Sequence, residues 1–284
     1  MSGFLDLMLP AFAACIVLVG IHGYLGLHII ARGVIFVDLS LAQMAALGAT
    51  TAFLFNVSPD SSTGFWVSLL FTTIGAAIFS LTRTETFRVP QEAIIGIVFV
   101  VASAAAILVA DKAPRGAEHI KEMLSGSILW VSWPTVGKIA GLYAVIGVLQ
   151  YVWRRRFLTI SFEPERADAE GWNIKAWDFL FYTLFGLVVT SSVAIAGVLM
   201  VFTFLVVPAV IAFFFTRRQG WMAIISWSTG AVASAAGLTV SYFEDLPTGP
   251  AIVCTFAVVL IGAAALRKWM SVQEARRAPF VAAR

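Results

Sequence analysis

The sequence predicts an all-α polytopic membrane protein of about nine transmembrane helices, N-terminus outside and C-terminus inside. Three observations carry this expectation. Of 284 residues, 60% are apolar and 12% charged, against about 25% charged in soluble domains, so charge is too scarce to cover a water-facing surface. The apolar residues gather in runs of about 20, the length that crosses a bilayer core as a helix. The basic residues fall unequally on alternate breaks between these runs, which is a topology signal. Composition therefore excludes an ordinary soluble enzyme. The net charge of +3 does not point to nucleic acid, because Lys and Arg stand between apolar runs and form no contiguous stripe.

The first run, Leu5 to Ile30, has no basic segment before it and no small-residue cleavage site, so it reads as a span and not a cleaved signal peptide. Val34 to Phe55, Gly64 to Leu81, Ala93 to Ala110 and Val136 to Trp153 follow. Ala176 to Phe215 is one apolar run of 40 residues. A straight helix of that length measures roughly 60 Å, twice the hydrocarbon thickness, so the run must break. The polar patch TSSVAIAG, Thr190 to Gly197, is the expected turn. Trp221 to Phe243 and Pro250 to Leu266 complete nine spans, or eight if one short segment is re-entrant. The whole chain, 1–284, is expected to form a single transmembrane domain, with an inside loop at 154–175 and an inside tail at 267–284.

With the N-terminus outside, fifteen Lys and Arg residues lie inside and four, Lys112, Arg115, Lys121 and Lys138, lie outside. The outer connection, Asp111 to Thr135, contains GAEHIKEMLSGSILW, which reads as a short amphipathic helix returning to the interface, with Trp130 and Trp133 as anchors. Cys15 and Cys254 form neither a disulfide framework nor a CxxC site. No GxxxxGK[ST] phosphate loop occurs. If transport is driven by ATP, the nucleotide and its Mg belong to another chain, and no cofactor is expected on this one.

Ionisable groups inside a membrane are functional candidates because burying them is costly. His22 and His28 lie in the first span, and Asp38 with Gln43 and Met44 in the second. His28 is expected near the inner boundary, and His22 is either bonded to a neighbouring carbonyl or a metal ligand. Ser40, Gln43, Met44 and Leu47 share one helix face, while Asp38 points about 140° away from Gln43. These residues line a translocation path or serve close helix packing through SLAQMAALGA. Glu92 and Asp178 read as acids at span starts, favoured by the helix dipole. Glu118 and His119, in the outer connection, are candidate contacts for an entering cation or simply solvated. In the inside loop, FEPERADAEGW places Glu163, Pro164, Glu165, Arg166, Ala167 and Asp168 on a short Pro-initiated helix that Gly171 ends. That element is a docking helix for a partner or a solvated turn.

Four stretches together resemble the permease subunit of the zinc/manganese/iron family of ABC importers. They are ARGVIFVDLSLAQMAALGA, QEAIIGIVF, FEPERADAEGW and AGVLMVFTFLVVPAVIAFF, in the family's order. The last is similar to the family's segment with Gly197, Leu205, Pro208 and Ala209 in place. The resemblance implies a vitamin-B12-permease-like helical fold, a paired permease, most simply a homodimer, and a prokaryotic plasma membrane. It also implies a cytoplasmic ABC ATPase docking on Glu163 to Gly171 and an extracytoplasmic metal-binding protein. Where many members read Gly-Asp-x-Leu-x-His, this chain has Asp38, Leu39 and Gln43 at the Gly, Asp and His positions. The family's ion-contacting pair is therefore not reproduced, and an amide is a poor zinc ligand.

The expectation is a non-catalytic membrane subunit importing divalent zinc, manganese or iron. The rival is an ion-coupled secondary transporter using the broken 176–215 run as a discontinuous helix pair. An intramembrane enzyme would need a nucleophile pair or HExxH-like ligands, and the sequence has neither.

Overall fold

The computed structural model describes residues 2–58, 61–83, 89–112, 126 and 128–277, with side chains from Met8 to Glu274. Among these residues there is no strand. The helices are α1 (Ser2–Arg32), α2 (Val37–Leu54), α3 (Ser62–Thr82), α4 (Gln91–Ala110), α5 (Trp133–Val152), α6 (Arg154–Phe162), α7 (Pro164–Ala169), α8 (Ile174–Ala196), α9 (Val198–Phe215), α10 (Gln219–Phe243) and α11 (Thr248–Arg277). A 3-10 turn at Ile128–Trp130 precedes α5. All but α6 and α7 are long and apolar enough to cross a membrane, so the described residues hold nine candidate spans, as the hydropathy pattern predicts. Most of the amphipathic helix expected between Asp111 and Trp130 lies outside the described residues.

The helices sort into two packed groups. In one, α2 lies between α3 and α4, and α3 packs on α8. In the other, α1, α9, α10 and α11 pack together, and α1 also touches α5 and α6. The best-buried spans are α1, α2, α8 and α9, whereas α4, α5 and α11 bury only a minority of their residues. Lipid tails are as apolar as leucine, so helix association here depends on close backbone approach and interhelical hydrogen bonds. A Cβ on Gly26 of α1 would collide with the Leu205 carbonyl of α9. Thr72 and Thr190 join α3 to α8 through hydroxyls 2.9 Å apart. Trp227 Nε1 donates to the Gly20 carbonyl at 2.9 Å, tying α10 to α1.

The 40-residue run breaks at its last glycine. Gly197 separates α8 from α9 with φ 78° and ψ 159°, a backbone region that only glycine occupies readily. It is the final residue of the expected turn, and the hydroxyl-bearing part of that patch, Thr190 to Ser192, stays helical inside α8. Gly197→Ala should cost about 1–3 kcal/mol, seen as a lower melting temperature of the detergent-solubilised chain. An unchanged melting temperature would mean that the break does not need this conformation.

The connection between α5 and α8 holds more order than a loop. Before the expected short helix comes α6, whose Phe157, Ile160 and Ser161 are buried. Their i, i+3, i+4 spacing marks one helix face, visible in RRRFLTISF. The six-residue α7 follows with Pro164 in its first turn. Gly171 ends it at φ 70°. The Trp172 and Gly171 amides close back on the Ala167 and Asp168 carbonyls at 3.1 and 2.8 Å, as in a glycine-terminated helix.

Candidate functional site

Two arrangements of polar groups stand out, one in α2 and one where α1, α3, α6 and α8 meet. In the first, Asp38 occupies the first turn of α2 and is fully buried. Neither of its carboxylate oxygens has a hydrogen-bond partner among the described residues. The N-terminal dipole of α2 favours its negative charge, but a bare buried carboxylate is still costly unless a cation or proton joins it. Nearby in the chain fold, Glu92 at the start of α4 accepts the Phe36 amide through Oε1 at 3.1 Å. Its Oε2 is buried and unpartnered. Glu92 thus reaches across to the entrance of α2, where the sequence suggested service to its own helix dipole.

The other candidates on α2 divide. Ser40 donates its hydroxyl to the Ile95 carbonyl of α4 at 3.2 Å, a helix-packing bond. Met44 is buried and Gln43 half-buried. On α1, His22 is fully buried, its Nδ1 lying 2.9 Å from the Leu18 carbonyl. Donation to a carbonyl requires the proton on Nδ1, so Nε2 carries a free lone pair, and it has no partner. The ring stands edge-on to Tyr143 of α5, with centroids 6.4 Å apart. The Tyr143 hydroxyl in turn meets Ser192 Oγ at 2.6 Å and Ser191 Oγ at 3.1 Å. The structure does not gather Asp38 and His22 into a cage: no three His, Cys, Asp or Glu side chains come together among the described residues. Glu118 and His119 lie outside the described residues.

The second arrangement was not expected. Asp178 lies one turn inside α8 and is fully buried, so the helix-start reading of this residue is corrected. Its Oδ1 takes Arg32 Nη1 of α1 and its Oδ2 takes Arg83 Nη1 at the end of α3, each at 2.6 Å. Arg32 also donates Nε to Ser161 Oγ of α6 at 2.8 Å, and its guanidinium sits 4.0 Å above the Phe181 ring. His28 Nδ1 pairs with the same Ser161 hydroxyl at 2.9 Å. His28, near the end of α1, is fully buried, with α6 supplying its hydroxyl partner. Ser80 Oγ donates to the Lys175 carbonyl at 2.5 Å, a further link between α3 and α8. Two arginines and one carboxylate, closed over by aromatic rings, thus fasten four elements at one end of the bundle. The only local sign was an Asp just inside a span with arginines at other span ends.

From this hub, Ser161 leads within three residues to α7. There Ala167 is buried while Glu163, Glu165, Arg166 and Asp168 are exposed. Arg166 donates to Glu163 at 3.0 Å and to Glu170 at 2.9 Å. Glu163 and then Glu170 raise its pKa above the ordinary arginine value, holding the guanidinium charged. Phe162 to Arg166 line a cavity of about 460 Å³ open to the surface. The result is a short, rigid, charged knob rooted in the ion-paired hub.

A family model described as the ABC 3 transport family matches residues 4–267. The probable iron transport system membrane protein of Haemophilus influenzae is 25% identical over 248 residues, covering 87% of this chain and 86% of that one. The manganese transport system membrane protein MntC of Listeria monocytogenes is 26% identical over 244 residues, 84% of this chain and 83% of that one. In solved structures the fold is shared with PsaBC from Streptococcus pneumoniae in complex with Fab. The TM-score is 0.77 at 23% identity, over 92% of this chain and 94% of that one.

Proposed function

The chain belongs to the ABC 3 transport family, and on that premise we propose that it is the multi-pass permease subunit of an ATP-driven importer that carries a divalent metal ion, zinc, manganese or iron, across a prokaryotic plasma membrane. The observation that carries the cargo assignment is Asp38, a buried carboxylate with both oxygens bare inside a spanning helix. A group of that kind is retained for a cation or a proton to meet. Glu92 Oε2 and the His22 Nε2 lone pair are the further waypoints. Relatives of almost equal identity are named for iron and for manganese, which supports the class of cargo and leaves its identity to experiment.

In this reading the end bearing Arg32, Arg83, α6 and α7 is cytoplasmic, in keeping with the basic residues gathered there. The exposed residues of α7 and the adjoining cavity receive the ABC ATPase. Nucleotide-driven closure of the ATPase pushes α7, and the hub passes that displacement to α1, α3 and α8 together, because all three are tied to Asp178 or Ser161. An extracytoplasmic binding protein delivers the metal at the opposite face, to a pore shared with a second permease copy. The chain itself catalyses no covalent step.

Reconstitution tests this directly. Uptake of zinc, manganese and ferrous iron should require this chain, the ATPase, ATP and the binding protein together. Uptake by this polypeptide alone along an ion gradient would establish the secondary-transporter reading instead. Deleting Glu163 to Gly171 should abolish copurification of the ATPase while membrane insertion persists. Continued copurification would remove α7 from the docking role.

A further inference from the structure

Where α5 passes into α6, a cavity of about 290 Å³ is lined by Val152, Trp153, Arg155, Arg156, Glu170 and Trp172. Its charge is unbalanced. Arg156 lies over two indole rings, 4.5 Å from the Trp177 centroid and 5.5 Å from that of Trp172, and pairs with no carboxylate among the described residues. Arg155 is exposed and lines the same cavity with no ion pair, hydrogen bond or ring contact to a described residue. The one carboxylate in the wall, Glu170, already accepts from Arg166 at 2.9 Å. Two guanidiniums therefore face an opening whose acid is spent elsewhere.

The cavity also lies where α5, a candidate span, ends. Next to it runs an exposed side of α5, where Val145, Val148 and Val152 are 60%, 61% and 64% exposed. Their i, i+3, i+7 spacing makes one apolar track that ends in the cavity wall at Val152. Trp153 and Trp172 stand at its rim, as indoles do where hydrocarbon meets headgroups. A compact free anion would satisfy the arginines and leave the track unused. A molecule with a phosphate at one end and acyl chains at the other matches both.

We propose that this cavity is a binding site for an anionic phospholipid, its headgroup phosphate on Arg155 and Arg156 and its acyl chains along Val145, Val148 and Val152. The phosphate takes charge-assisted hydrogen bonds from the two guanidiniums, and the wall formed by Trp153 and Trp172 shields it from water. Basic pockets at this face of a membrane protein bind acidic headgroups for the same reasons. The site would fasten lipid beside the docking helix.

Native mass spectrometry of the full-length chain in detergent tests the proposal, with phosphatidylglycerol, phosphatidylcholine and inorganic phosphate titrated separately. Phosphatidylglycerol should be retained in preference to phosphatidylcholine. Arg155→Gln should weaken phosphatidylglycerol binding about fivefold, the effect of one basic residue near an anionic surface, and leave phosphatidylcholine unchanged. Because Arg155 makes no hydrogen bond, ion pair or ring contact to a described residue, its replacement should not move the melting temperature, which separates lost binding from lost folding. Arg155→Lys should retain most of the binding. Equal retention of the two lipids, or an unchanged Arg155→Gln variant, overturns the proposal. So does displacement of phosphatidylglycerol by inorganic phosphate, which would make this a free-anion site. Loss of the lipid when the ATPase is added would assign the cavity to the protein interface instead.

Discussion

Asp178→Asn should destabilise the solubilised chain by about 3–5 kcal/mol, the cost of removing one partner from a buried ion cluster. Asp178 is the sole acid between Arg32 and Arg83 in the described hub, with one oxygen given to each at 2.6 Å. Asparagine keeps the shape and removes the charge, leaving two guanidiniums facing each other in a poorly solvated pocket. The Arg32 side chain is 2% exposed and that of Arg83 23%. Arg83→Met should therefore cost less than Arg32→Met, since Arg83 keeps partial access to water and Arg32 has none. Replacing all three residues together by apolar side chains should recover much of the stability, because no uncompensated charge then remains. Thermal melting and folded yield are the measurements. An Asp178→Asn chain that melts like the parent would show that the hub does not hold the bundle end together.

Asp38→Asn has the opposite signature. The parent carboxylate has no partner among the described residues, so removing its charge relieves a desolvation cost and should leave melting unchanged or raised. Metal uptake by the complete transporter should nevertheless fall at least about tenfold, since one charged contact is worth roughly 1.5–3 kcal/mol. Two buried aspartates in one bundle are thus distinguished by what they touch: Asp178 is neutralised by Arg32 and Arg83, while Asp38 has no partner among the described residues. An Asp38→Asn chain that both melts and transports like the parent would remove Asp38 from the translocation path.

Much of this architecture is legible in one dimension. Hydropathy marks nine spans because each must carry enough apolar length to cross hydrocarbon by itself. The 40-residue run announces its own break, since no straight helix of that length fits the bilayer. Pro164 and Gly171 bound α7 because a fixed φ at one end and a left-handed φ at the other are properties of those residue types. What the polar residues do is less legible. Asp178 reads as a helix-start acid until Arg32 and Arg83, 146 and 95 residues away, close on it. His28 reads as a group at a span end, and its partner, Ser161, comes from α6, 133 residues away. Ser40 reads as lining a path or packing a helix, and only the fold puts its hydroxyl on an α4 carbonyl.

Local chemistry sets which segments are helices, where they stop and that they enter a membrane, because those outcomes depend on neighbours within a few residues. Whether a buried charge is paired or bare depends on which helices pack side by side. That follows from small-residue contacts such as Gly26 against Leu205 and from the turn at Gly197. Hence the sequence alone predicts nine apolar spans and a short charged helix between two of them. The folded bundle separates the aspartate that is ion-paired across helices from the one whose oxygens meet no described group.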